Sequence, residues 1–353
     1  VHRTTGRDAT PLLVVALVVV LGLLLATPLL LGDAVPVAPG TSPGPATSPY
    51  VDSARLGPRA EEPSPAPSAT PTASTRRSGP SPQREPTGPN GPTGPRDTGE
   101  RECVDTGITA DLTVLSYNIK SGQGAGTLPQ IAELVRASGA DVVLLQEVDQ
   151  LRYSSGRVDM PGFFSAELAM PHVFAKNVFH ADGGSYGTVI LSRHPILSWE
   201  NTYLPRPGAT QQRGLLHAVL DVAGIETSVY NTHLQNADEP ARLLQVAAIN
   251  RLTGADPRPQ VLGGDFNATP TSPPMAVLGS LWTDTWSAVG SGLGQTAPAG
   301  DPRARIDYLL HRGPGITPLA TDVLTTYASD HRPVRAAYRL EAPGEVVCVP
   351  RLD

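Results

Sequence analysis

Leu262–Pro270 reads LGGDFNATP and Ser329–Val334 reads SDHRPV, and these two stretches decide how the rest of the chain is understood. The first follows a strand signal, Gln260–Gly263, and ends on an acid, Asp265, and an amide, Asn267. The second sets a carboxylate, Asp330, beside an imidazole, His331, ahead of a further strand pattern at Val334–Leu340. Working outward, four more segments share the property: SYNIK with Asn118, LLQEVD with Glu147, YNTHLQ with His233 and RIDYLL with Asp307. Each reads as a catalytic-type side chain at the C-terminal end of an apolar strand. One such segment says little, because a glutamate after an apolar run is commonly a solvated strand end. An Asp-His pair is commonly a local hydrogen bond. Together they have no simple structural explanation, since burying so many polar groups costs free energy unless they meet one another or a metal.

The surrounding pattern is α/β. Asp111–Lys120 alternates apolar and polar residues as a strand does, and Asp141–Val148 is apolar throughout, as in a strand covered on both faces. Thr188–Ser192, Gly214–Val222, Glu226–Thr232 and Arg305–Leu310 are further expected strands. Leu128–Ala137 has helical spacing with Gly139 placed to end it, and Asp238–Leu252 is an amphipathic helix with acidic residues in its first turn. MPGFF (Met160–Phe164) and MPHVF (Met170–Phe174) fit core packing or a lipid-facing loop. His172, His180, His194, His217 and His311 lack a paired motif and read as surface or structural. No Cys/His zinc spacing occurs, and GQGAG after SYNIKS is a turn, not a phosphate loop.

Composition divides the chain. Much of the excess proline (37 residues in 353) falls between Val35 and Glu102, where almost no aliphatic residue is available to offset chain entropy. Residues 32–102 are therefore expected to be a disordered, semi-rigid linker, compatible with an O-glycosylated stalk or cell-wall spacer. Before it, Leu12–Leu31 is an uncharged apolar run of 20 residues, matching a ~30 Å hydrocarbon core. His2, Arg3 and Arg7 precede the run and Asp33 follows it, so residues 1–11 are expected to be cytoplasmic and everything after Gly32 outside. The run reads as a single-pass anchor in the cell membrane; secretion after signal cleavage is the alternative. The formal charge of −6 resides wholly in residues 103–353, whose only lysines are Lys120 and Lys176. That disfavours a broad nonspecific nucleic-acid platform while leaving room for a nuclease with a small cationic site. Cys103 and Cys348 bracket residues 103–353, and in an exported chain they are expected to form a disulfide tying its ends.

The ordered set YNI, QEV, NTHL, GDFN, ID and SDHRPV resembles the endonuclease/exonuclease/phosphatase superfamily, which includes deoxyribonuclease I, bacterial neutral sphingomyelinases and inositol polyphosphate 5-phosphatases. The resemblance spans roughly Asp111–Leu340 and rests chiefly on GDFN and SDHRPV. It implies a four-layer α/β sandwich, two packed mixed sheets flanked by helices, and metal-assisted attack of water on a phosphoester. Mg²⁺ is the implied ion, with Mn²⁺ or Ca²⁺ as alternatives, and Glu147 and Asn118 are its implied ligands. His331 matches the general base, oriented by Asp307. Asp265 matches the residue aligning the water, and Asn267 a donor to the phosphoryl group. Asp330 is placed to support the metal or its water, and His233 to stabilise or protonate the leaving group. His233 also sets the chain apart from the apurinic-site endonuclease branch. Arg213 matches a common family arginine and reads as a phosphate clamp or a surface salt bridge. Thr188 is a departure: many relatives carry Asn or Glu there, and a hydroxyl cannot hold His233 by charge. The expected activity is phosphodiester hydrolysis on nucleic acid or a phospholipid headgroup, with phosphomonoester hydrolysis and a non-catalytic binding module as rivals. The expected partners are that substrate and the membrane through residues 12–31, with no obligate protein partner evident.

Overall fold

Alternation along the strand Ile108–Asn118 divides its side chains between two interiors. Leu112 and Val114 face one, Leu115 and Tyr117 the other, and all four are fully buried. The structure, a computed structural model, describes residues 97–124 and 126–352. The expected segments at 1–11 and 12–31, and the linker as far as residue 96, lie outside the described residues. Among the described residues no helix is long and apolar enough to cross a membrane.

The elements run β1 (Asp97–Asp105), β2 (Ile108–Asn118), α1 (Leu128–Ser138), β3 (Val142–Gln150), α2 (Met160–Leu168), β4 (His172–Phe179), β5 (Ser185–Ser192), β6 (Ile196–Tyr203), β7 (Gly214–Val222), β8 (Ile225–His233) and α3 (Glu239–Thr253). They continue as β9 (Gln260–Asp265), α4 (Pro273–Leu278), β10 (Thr283–Asp284), α5 (Thr285–Val289), β11 (Asp307–Arg312), β12 (Ile316–Val323), β13 (Val334–Ala342) and β14 (Val346–Leu352).

Two six-stranded mixed sheets, ordered β12-β13-β2-β3-β5-β4 and β10-β11-β9-β8-β7-β6, pack face to face. Between them lie Leu112, Val114, Leu144 and Ile190 from one sheet and Leu216, Ala218, Val229 and Val261 from the other. The outer face of the first sheet is covered by Ile131 and Val135 of α1 and by Met160 and Phe164 of α2. Val246 and Ile249 of α3, with Met275 and Leu278 of α4, cover the second. The expected sandwich of two mixed sheets with flanking helices is therefore what forms. Met160, Phe164, Met170 and Phe174 are buried, so MPGFF and MPHVF pack into the core and are not a lipid-facing loop.

Each sheet holds one parallel pair, β2 with β3 and β8 with β9, joined by crossovers that carry α1 and α3; every other pairing is antiparallel. The helix ends follow the sequence signals. Gly139 closes α1 at φ 68°, and the Asp238 carboxylate caps α3 by accepting from the Ala241 amide.

Two expectations about placement are corrected. Asp307 does not end a strand but begins β11, pairing with Asp265 at the end of antiparallel β9. Asp330 and His331 occupy the loop before β13, itself antiparallel to β2. Antiparallel pairing brings strand starts to the rim where β2, β3, β8 and β9 end, so all six motifs still meet there. β1 begins at Asp97, inside the stretch assigned to the linker, and pairs with β14 as a separate ribbon. Cys103 and Cys348 face each other across it, Cα atoms 4.0 Å apart, and are joined as the expected disulfide.

Candidate active site

Asn118 closes β2, and its amide orientation is fixed by chemistry. The Lys120 N–H can donate only to Oδ1 (3.1 Å), which turns Nδ2 toward two carboxylates, Glu147 Oε1 and Asp265 Oδ2, each 2.9 Å away. The expected metal ligand thus spends its oxygen on the local turn and uses its amine to aim two carboxylates from opposite sheets. Glu147 sits at φ 56°, where the β3–β5 register slips between Leu145 and Val148. The bulge turns its half-buried carboxylate out of the strand pattern.

Beneath Glu147 is a polar pair that sequence reasoning missed. Gln146 Nε2 donates to Asn231 Oδ1 (2.8 Å), and Asn231 Nδ2 donates to the Leu145 and Val189 carbonyls (3.0 and 2.8 Å) beside the bulge. Both side chains are fully buried and tie the sheets together below the site. The letters were visible in QEV and YNTHL, but nothing in one sequence shows that two amides face each other.

Asp265, Asp307 and His331 each bring a ligand-type atom within 4.8 Å of the others. His331 Nδ1 lies 2.9 Å from Asp307 Oδ2, and its Nε2 lies 3.8 Å from Asp265 Oδ2. Burial acts to lower the His331 pKa, but the carboxylates of Asp307, Asp265 and Asp330 outweigh it and raise it to about 10. Burial, then the charge of Asp307, pushes Asp265 up to about 7.

His233 ends β8 almost fully buried. The Asn267 amine, which donates to the Leu234 carbonyl at 3.1 Å, also approaches His233 Nε2 at 3.2 Å. Nε2 also lies 3.5 Å from Asp265 Oδ2, so it faces both a donor and a carboxylate, while Nδ1 has no partner among the described residues. Burial, then the charges of Arg213 and His331, holds this histidine well below its ordinary pKa. The buried Thr188 hydroxyl has no partner either, so no carboxylate braces Nδ1. The expected leaving-group histidine is therefore held in its neutral form. Asn267 adopts φ 49°, and its N–H donates to Asp265 Oδ1 at 2.9 Å.

These groups open on one cavity of about 320 Å³, lined by Glu147, Asp265, Asn267, His233 and His331 together with Tyr186, Gln211, Arg213 and Asn236. Arg213 is 4% exposed and forms no salt bridge among the described residues; its guanidinium meets the Tyr186 hydroxyl. It is not the surface ion pair that was one reading. Asp330 is brought near but not in: Lys120 Nζ holds its carboxylate at 2.8 Å, half exposed, outside the cavity lining. Lys120 was missed as a site neighbour because a lysine after a strand is ordinarily a solvated residue. Of the histidines set aside, His311 is buried against Thr285 and Tyr338, and His217 stacks on Tyr230.

Glu147 and Asp265 share one donor, and Asp307 Oδ1 is buried without a partner. Two carboxylates lining one cavity, with Asp307 behind them against His331, are a donor set that suits a hard divalent cation.

Comparison with known proteins agrees with this geometry. The uncharacterized protein YbhP of Escherichia coli K12 is 27% identical over 255 residues, covering 64% of this chain and 96% of YbhP. A solved endonuclease/exonuclease/phosphatase from Beutenbergia cavernae is 26% identical with a TM-score of 0.54, over 65% of this chain and 72% of that one. The mannosyl-6-phosphatase Bt3783 of Bacteroides thetaiotaomicron shares the fold at 20% identity and a TM-score of 0.54, over 67% and 99% of the two chains. The profile of the Endonuclease/Exonuclease/phosphatase family matches residues 115–331, which take in every residue of the cavity. The chain belongs to that family, whose members are divalent-metal-dependent phosphoesterases.

Proposed function

We propose that the chain is an extracytoplasmic, Mg²⁺-dependent phosphodiesterase that hydrolyses its substrate by attack of water on phosphorus. The observation that carries this is the line Asp307–His331–Asp265, which ends in the cavity that Arg213 and Asn267 also line.

Asp307 fixes the His331 tautomer through Nδ1 and leaves Nε2 to exchange protons. Nε2 and Asp265 Oδ2, 3.8 Å apart, bracket the place for the attacking water. The water–phosphorus bond forms, one ester P–O bond breaks, and the water proton passes to the His331–Asp265 pair; the departing alkoxide takes a proton from a solvent water, and the pair returns its proton to solvent. Arg213 donates to phosphoryl oxygens as charge builds there, and the Asn267 amine does so by turning one proton from His233 Nε2 to the phosphate while keeping the other on the Leu234 carbonyl. Glu147 and Asp265 are the residues that would hold the ion, aimed by Asn118. The cation supplies charge neutralisation at the phosphate oxygens and weakens the carboxylate field that keeps His331 protonated. The extracytoplasmic placement is supported by the apolar run at 12–31 and by the Cys103–Cys348 disulfide, a bond that persists in oxidising compartments.

The test is a panel of plasmid DNA, bis-p-nitrophenyl phosphate, sphingomyelin and inositol phosphates, each with Mg²⁺, Mn²⁺, Ca²⁺ or chelator. Turnover that chelation abolishes, and that Glu147→Ala and His331→Ala each cut by roughly 10²–10⁴-fold, is the expected result. Full turnover by both variants on every active substrate overturns the assignment.

A further inference from the structure

Among the described residues the exposed aromatic side chains are Tyr153, Phe179, Tyr203 and Tyr327. Chain direction places all of them on the catalytic rim. Tyr153 follows β3, Phe179 ends β4, Tyr203 ends β6, and Tyr327 precedes the His331 loop. Exposed rings scattered by chance would also occupy the opposite rim, and none does.

Two of them, Phe179 (69% exposed) and Tyr203 (55%), line a second cavity of about 650 Å³ with Asn177, Arg206, Gln211 and Gln212. Gln211 lines the catalytic cavity as well, so the two are neighbours across one residue. The second cavity has a fixed wall. The Tyr203 hydroxyl donates to the Lys176 carbonyl at 3.2 Å, linking the edge strands β6 and β4 of opposite sheets and holding the ring. Asn201 Nδ2 donates to Asn177 Oδ1 at 3.1 Å, and Gly214 lets these amides close, because a Cβ there would lie 2.3 Å from Asn177 Oδ1. Gln212 Nε2 is held by the Leu204 and Arg213 carbonyls at 2.9 and 2.8 Å. The exposed Arg206 guanidinium has no hydrogen bond or ion pair among the described residues, unlike the buried Arg213.

We infer that this second cavity is a substrate subsite that selects phosphoesters of a ring-bearing alcohol. The ring's flat face lies on Phe179 and Tyr203, and its polar edge meets Gln211 and Arg206. The inference rests on the phosphoesterase reading, since it needs the phosphate in the neighbouring cavity, on the Arg213 side. Acyclic alcohols such as glycerol present no face to stack. A nucleoside and a hexose both do, the first through its base and the second through its C–H face. The wall is already held by internal hydrogen bonds, so little ordering opposes binding.

Titration calorimetry with the metal-loaded protein tests this, using inorganic phosphate, thymidine monophosphate, glucose 6-phosphate and glycerol phosphate. At least one cyclic ester is expected to bind about tenfold or more tightly than glycerol phosphate, and the stronger of the two identifies the ring class. Phe179→Ala with Tyr203→Ala should reduce that preference to under about threefold and leave the inorganic phosphate Kd unchanged, while Tyr203→Phe keeps it. Both rings are exposed, and an unchanged far-UV spectrum and thermal midpoint, together with the unchanged inorganic phosphate Kd, verify an intact fold and catalytic cavity. Phosphate binding without ring preference, or a preference that survives the double substitution, overturns the subsite alone. Absence of any phosphate binding overturns the catalytic reading with it.

Discussion

The Gln146–Asn231 pair makes a quantitative demand on the fold. Asn231→Leu keeps approximate volume while removing the donors to the Leu145 and Val189 carbonyls and the acceptor for Gln146 Nε2. Gln146 retains partners in Ser116 Oγ (3.2 Å) and the Leu144 carbonyl (3.0 Å), so its amine is not wholly orphaned. The main loss is three buried hydrogen bonds in a layer with no exposure. At about 0.5–1.5 kcal/mol for each, the substitution costs roughly 1.5–4.5 kcal/mol. That is a large share of a typical ~5–15 kcal/mol total. Gln146→Leu alone strands Asn231 Oδ1, costing about 1–3 kcal/mol. The double variant removes both ends of the shared bond and should lose less than the sum, with a coupling of about 1 kcal/mol or more. Urea unfolding of the four proteins, fitted with a common m-value, supplies the cycle. Because Leu145 and Val189 flank the Glu147 bulge, kcat should fall in Asn231→Leu even at temperatures where the protein is fully folded. A stability loss below about 1 kcal/mol for Asn231→Leu, with additive singles, would refute the claim that this pair staples the sheets beneath the site.

Asp307→Asn and Asp330→Asn separate two of the aspartates around His331. The first removes the carboxylate that orients Nδ1 and should cost about 10³-fold or more in kcat, whereas the second breaks an exposed pair with Lys120 and should stay within a few-fold. Reduction of Cys103–Cys348 opens a 245-residue separation, for which chain entropy predicts at most about 5 kcal/mol of destabilisation. The bond lies in a ribbon apart from both six-stranded sheets, so kcat at 25 °C should be unchanged; loss of activity before loss of the far-UV signal would contradict that. Equal labelling by a thiol reagent before and after reduction would show that the disulfide is absent. Burial lowers the pKa of His172 and His311, so the folded protein binds fewer protons there than the unfolded chain. Stability should be full above about pH 6.5 and fall as the pH drops below it, by up to ~1.4 kcal/mol per pH unit for each histidine. His311→Phe should flatten the slope of stability against pH; an unchanged slope removes His311 from the account.

Legibility followed the physics of each element. Strands covered on both faces announced themselves, as Asp141–Val148 did, because continuous apolar runs leave few other options. The edge strands did not. β6 reads ILSWENTY, mixed and mostly half exposed, and β12 carries Pro318, at a point where its register with β13 slips. The candidate site was legible as a set of residue types because each motif stops an apolar run on a polar group. It was not legible as a set of roles. Asp307 looked like a strand terminus because periodicity carries no direction, and only the antiparallel pairing with β9 shows that it begins one. Asn118 is a ligand by resemblance, and the letter N does not say how the amide is turned; the Lys120 N–H sets that orientation by donating to one lone pair of Oδ1.

The positions of backbone strain extend this argument from residue types to design. Glu147 and Asn267 both have left-handed φ values, 56° and 49°, and neither is a glycine. Each falls near the end of the second strand of a parallel pair, Glu147 in the β3 bulge and Asn267 just past β9. The two sheets therefore use the same device in mirrored positions: a parallel pair brings two strand ends together, and a left-handed residue turns a polar side chain off the strand axis into the gap. Such conformations cost of order 1–3 kcal/mol each and persist only where the surroundings enforce them. Here the enforcement is visible. Asn118 grips Glu147, Asn231 satisfies the carbonyls beside its bulge, and Asp265 holds the Asn267 N–H. Glycine at 147 or 267 would relieve the strain and leave the backbone free to adopt it, yet it would delete the side chain for which the turn is made. Left-handed φ alone does not mark the site, because Ala169 at the end of α2 and Ala223 in the β7–β8 turn adopt it as well. What distinguishes 147 and 267 is that the turn there delivers a polar side chain into the cavity lining.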